Sequence, residues 1–194
     1  MSTSLAGAER VQVKLFAAPG APESAALIPV FHEWISRDLL GDEELLIDVA
    51  DYSHVEDGPG VVLVGHGADW SYDEEQGRRG LLFFRKRAFE GSLQHRLEDA
   101  LRRALAAAGI LARDPRLPSL AFDARELLVR VPDRLRAPND DASFTALVPM
   151  IVDAVHAVLG TDVGVGVRRE DVGKGPLTAR VSLEGAPAIA QAQA

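Results

Sequence analysis

The chain contains no cysteine, which excludes disulfide staples and any thiol nucleophile. It does not open with a basic start, an apolar stretch and a small-residue cleavage site. It thus lacks a signal-peptide pattern, and the cytoplasm is the expected compartment. Apolar runs such as Ala104–Ala112 fall short of the roughly 20 residues that cross a bilayer, so no membrane partner is expected. Positive charge is also in short supply. A net charge of −8 argues against a sequence-independent grip on phosphate backbones, and no nucleic-acid partner is expected.

What charge there is lies unevenly along the 194 residues. Residues 1–77 carry 3 basic and 15 acidic side chains, residues 78–136 carry 14 and 7, and residues 137–194 carry 4 and 7. An acidic head precedes a basic middle. Either the two neutralise each other inside one fold, or they meet between subunits as a self-complementary interface. With 47% hydrophobic residues the chain can build one core without staples.

The apolar spacing predicts an α+β domain over 10–184, with frayed tails at 1–9 and 185–194. Val11, Val13 and Leu15 alternate as a strand, whereas Leu27, Val30, Phe31, Trp34 and Ile35 line one face of a helix that Pro29 must open. Leu45–Tyr52 and Val61–His66 flank a Gly58-Pro59-Gly60 turn as a hairpin, and Leu81–Arg87 is a further strand. Ser92 is the expected N-cap of a second helix whose end Gly109 and Pro115 bracket. Leu120–Phe122 and Leu127–Val131 read as a hairpin around Asp123-Ala124-Arg125-Glu126. A third helix carries Phe144, Leu147, Val148, Ile151, Val152, Val155 and Leu159, and a strand pair over Val163–Val167 and Leu177–Leu183 closes the domain. The expected order is βαβββαββαββ, three helices packed on a mainly antiparallel sheet. Ala26-Leu27-Ile28-Pro29 is echoed by Ala146-Leu147-Val148-Pro149, and Gly58-Pro59 by Gly175-Pro176. Either an internal duplication, about 11–67 and 126–184, or coincidence in an Ala/Leu/Val-rich chain accounts for this.

The sequence departs from the common nucleotide-binding and nucleophile motifs. Gly164-Val165-Gly166 is followed by Val167-Arg168-Arg169, without the third glycine of a dinucleotide loop. Gly173-Lys174 is followed by Gly175 where a phosphate loop needs Ser or Thr, and no serine sits in a Gly-x-Ser-x-Gly elbow. No cofactor is therefore expected. Asp and His are suitable donors for a divalent cation, and the hairpin could gather Asp48, His54, His66 and Asp69. The glycines flanking His66 would leave room for a ligand, with Trp70 nearby. An acidic solvated hairpin is the plainer reading. Arg78, Arg79, Arg85, Lys86 and Arg87, interleaved with Phe83, Phe84 and Phe89, read as a solvated edge strand or a surface for an acidic protein.

The run Leu45–His66 together with Gly80–Arg87 resembles a family of uncharacterised conserved bacterial proteins with no assigned activity; that resemblance implies no catalytic residues. The expected function is a non-enzymatic binding or assembly module whose partner is a protein or a second copy of the chain. The alternative is a small-molecule or metal-dependent enzyme with its site around residues 65–70, and the sequence leaves open whether the protein is an enzyme.

Overall fold

A computed structural model describes residues 5–40, 44–87, 91–170 and 173–189. Among the described residues, alternating and continuous apolar runs form eight strands: β1 (Val11–Ala17), β2 (Leu46–Tyr52), β3 (Gly60–Gly65), β4 (Ala68–Asp73), β5 (Gly80–Arg85), β6 (Phe122–Val131), β7 (Gly164–Arg169) and β8 (Leu177–Glu184). They form one antiparallel sheet in the order β2-β3-β4-β5-β1-β6-β8-β7. Among the described residues, three α-helices accompany it: α1 (Ile28–Ser36), α2 (Leu93–Leu111) and α3 (Asp141–Leu159). The fold is α+β, as the spacing predicts.

Each helix begins where the local chemistry allows. Pro29 lies in the first turn of α1, where a missing N–H costs nothing. The Ser92 hydroxyl accepts from His95 N at 3.2 Å to cap α2, and the Asp140 carboxylate accepts from Ser143 N at 2.8 Å to cap α3. The core fills the space between helices and sheet. In the register, Leu63, Trp70, Phe83, Val13, Val129 and Ala179 form one continuous row across six strands, and all six are buried.

The observed order is βαββββαβαββ, and two differences from expectation have clear causes. Ala68–Asp73, not among the strands expected from the sequence, is β4: Ala68, Trp70 and Tyr72 are buried while Asp69, Ser71 and Asp73 take the other face. Phe122–Val131 is one strand rather than a hairpin, because Glu126 pairs with Arg180 on β8 and so stays in the sheet. Pro149 sits inside α3 instead of opening it, unlike Pro29 in α1. Residues 5–9, expected to fray, include a 3-10 turn at Leu5–Gly7 and the buried Ala8, whose carbonyl accepts from Arg96 at 2.8 Å. Ile189 is buried too. The expected tails at 1–4 and 190–194, together with Phe89, lie outside the described residues.

The helix-free face is built differently. Residues 74–79, between β4 and β5, fold back over it: the Arg130 guanidinium donates to the Glu75 carboxylate at 2.9 Å, and Arg78 stacks 3.8 Å above the Phe16 ring. Beneath this loop Lys14 and Asp73 form a buried ion pair. Arg180 bridges Glu126 and Glu170 at 2.8 and 2.7 Å, and its hydrogen bond to Glu170 is the main force holding that carboxyl below its ordinary value.

Candidate functional site

His66 lies in the short connection from β3 to β4 and Asp69 just beyond it, where several polar groups have structural tasks. Gly65 N donates to Asp69 at 3.2 Å, Gly67 N donates to the buried Glu44 carboxylate, and His66 N donates to Leu45 O at 2.9 Å. Glu44 in turn faces Arg85 at 3.5 Å, and Arg85 pairs with Asp99 of α2 at 2.7 Å. The two glycines are explained by this packing. A Cβ on Gly65 would lie 2.5 Å from Ala68 O, and one on Gly67 would lie 3.1 Å from the Glu44 carboxylate. They make room for Glu44 and the neighbouring backbone rather than for a ligand.

The side chains of the expected metal set are dispersed. His66 is exposed, with its ring nitrogen 2.9 Å from Arg87, and Asp69 is taken by Lys86 at 2.7 Å. Asp48 and Asp69 both face Val64 in the register, so they share a row but stand two strand spacings apart, about 9.5 Å. Asp48 accepts from its neighbour Val49 N at 2.8 Å. His54 lies in the turn at the opposite end of β3, roughly 20 Å of extended chain from His66. Among the described residues, no group of three or more His, Asp or Glu side chains is placed to hold a metal ion.

The basic run is not a solvated edge. It surrounds β5, which lies inside the sheet between β4 and β1, and its charges are matched by the acidic head: Arg79 with Glu23 and Glu74, Arg85 with Glu44, Lys86 with Asp69. Arg116–Glu33, Arg130–Glu75 and Arg136–Glu9 join the same two segments. The charge asymmetry of the sequence is thus met by pairing within one chain. An open groove of about 990 Å3 runs past Pro19, Val55, Glu56, Arg78, Phe122 and Arg125, but Arg78 and Arg125 are matched there by Glu126 and Asp123. The groove therefore offers an anion no unmatched guanidinium from either residue.

The remaining unusual surface is α3 with its neighbour β7. This helix is apolar nearly all round, and by length and composition it could cross a membrane, a property that the short runs considered from the sequence do not reveal. Only Leu147, Ile151, Ala154 and Val155 are buried in it. Val148, Met150, Val152, Val158 and Leu159 are half-buried and Ala142, Ala146, Pro149 and Ala157 are exposed. The helix packs on α2, β7 and β8, and β7 is an outer strand of the sheet. Comparison with protein-family models, curated proteins and solved structures returns no match to this chain.

Proposed function

We propose that the protein is a cytoplasmic, non-enzymatic assembly module that self-associates, and the observation that carries this reading is the incomplete burial of α3. A helix that is hydrophobic on every side belongs in an interior. This one packs only one stripe within its own chain, and the adjoining sheet edge is open. A partner covering both would remove that apolar surface from water. The alternative, a small-molecule or metal-dependent enzyme at residues 65–70, draws no support from Asp69 and His66, which are engaged by Lys86 and Arg87.

Val152 tests this reading because it is half-exposed on α3, so a polar residue there tilts association more than folding. Light scattering on the unmodified protein should give more than the monomer mass. Val152→Asp should shift it toward monomer while its circular dichroism stays unchanged. A variant that is folded and equally associated would remove α3 from the interface.

A further inference from the structure

We infer that the partner is a second copy of this chain joined through the β7 edge, with Gly166 on the two-fold axis, so that two eight-stranded sheets become one. This rests on the self-association just proposed and specifies its geometry.

The backbone of β7 is ready for a further strand. Glu170 N donates to Thr178 O at 3.0 Å, and antiparallel alternation then turns the polar groups of the even-numbered residues toward β8. The N–H and C=O of Val165 and Val167 consequently point outward, where no strand meets them. The register of β7 on β8 is unbroken from Gly164 to Arg169, and that segment contains no proline and no acidic residue.

The opposite edge, β2, is the other place a strand could add, and it exposes Leu45 and Ile47 by 70% and 55%. It is nevertheless guarded. A register shift between Leu46 and Asp48 interrupts its ladder, and Asp48 and Asp51 would bring carboxylates together in a self-pairing.

The β7 strand complements itself when Gly166 faces Gly166 of the partner subunit. Val165 then lies opposite Val167 of the partner subunit on the helix side, and each such pair can exchange two backbone hydrogen bonds. Both valines are half-buried in the single chain. Arg169 binds Asn139 and Asp141 at the start of α3, and His156 lies 3.1 Å from Val163 O, which marks the side of α3 facing β7. By helical spacing Val148, Val152 and Leu159 fall along that side, continuous with the two valines.

On the other face the charges also match. Arg168 lies directly opposite Arg180, a like-charged neighbour, and its ion pair with Glu170 is long, at 3.8 Å. Glu184, exposed, is registered with Gly164 and has no ion-pair partner among the described residues. In the two-fold pairing Arg168 faces Gly164 of the partner subunit, and with no side chain there it can reach Glu184 of the partner subunit. The symmetry makes this pair twice.

Because the chain has no cysteine, one introduced thiol reports the geometry cleanly. Facing residues at a pair without mutual backbone hydrogen bonds have Cα atoms about 4.5 Å apart, within disulfide range. Gly166→Cys is made with Ser182→Ala, since a Cβ on Gly166 would otherwise meet the Ser182 hydroxyl at 2.4 Å. Under mild oxidation this variant should form a covalent dimer on a non-reducing gel, and Ile47→Cys on β2 should not. A sedimentation run on the same samples separates the failures. Association without a covalent link at 166, or a link at 47 instead, overturns this geometry and leaves self-association standing; a monomer throughout overturns both. As a check independent of cysteine, Arg168→Glu should weaken the dimer by about tenfold. Adding Glu184→Lys should restore it, and failure to restore it would overturn the assigned pairing.

Discussion

Tyr72 shows how much a single strand residue can reveal about its surroundings. Its ring is fully buried, and its hydroxyl is buried without a hydrogen-bond partner among the described residues. Burial pushes the phenol up to about 12. The folded value exceeds the ordinary tyrosine value of about 10, so the neutral phenol stabilises the fold below that pH, and the contribution is lost as the pH rises toward 12. Tyr72→Phe should therefore be as stable as the parent at pH 7 or slightly more so, since it deletes an unsatisfied hydroxyl. It should also remove about 1–1.5 kcal/mol of the stability loss at pH 11, halfway through the window from 10 to 12. Urea unfolding midpoints at pH 7 and pH 11 check both parts, and a Phe variant clearly weaker at pH 7 would mean that the hydroxyl has a partner. At the same scale, the glycines beside His66 were legible as special. Their reason was not, because Glu44, which needs the space, lies more than twenty residues earlier in the chain.

At the scale of elements, β1 and β4 are tied across the intervening β5 by one buried ion pair. Gly80 on β5 leaves the gap through which Lys14 lies across toward Asp73, its Cε 3.1 Å from where a glycine-replacing Cβ would stand. Burial lowers the Lys14 ammonium and raises the Asp73 carboxyl, so desolvation outweighs their mutual attraction. Lys14→Met alone should cost about 3–5 kcal/mol by leaving a buried carboxylate unmatched, while Lys14→Met with Asp73→Leu should recover most of it. Chemical denaturation of the two single variants and the double variant measures the coupling, and strictly additive losses would contradict it. The elements were legible wherever a single period ruled: β1, α1, α2, α3 and both terminal hairpins follow their apolar spacing. β4 is not legible in the same way, although Ala68, Trp70 and Tyr72 alternate, because polar Asp69, Ser71 and Asp73 fall between them in a stretch rich in charge. The same charges that mislead in sequence are paired in space, Asp69 with Lys86 and Asp73 with Lys14, and Glu126 in β6 with Arg180 likewise.

Across the whole molecule, β1-α1-β2-β3 and β6-α3-β7-β8 share one βαββ connectivity, and their first strands lie side by side and antiparallel at the middle of the sheet. The β4–β5 hairpin occupies the space between β3 and β1 in the first half and has no counterpart in the second. Pro149 lies inside α3, whereas its sequence echo Pro29 lies in the first turn of α1. The charge asymmetry was visible in the sequence, but its meaning depended on whether acidic and basic segments meet within one chain. They do, from Glu9–Arg136 to Lys86–Asp69, so electrostatic attraction between subunits is not the main force we assign to assembly. The α3 face and the backbone of β7 carry it instead.

Sedimentation equilibrium of the unmodified protein over a range of concentrations, in low and high salt, tests the central claim most directly. The account predicts a species of twice the 20.8 kDa chain mass that persists at high salt, because apolar burial and backbone hydrogen bonds are weakly screened. A mass of 20.8 kDa at every concentration and salt would contradict it.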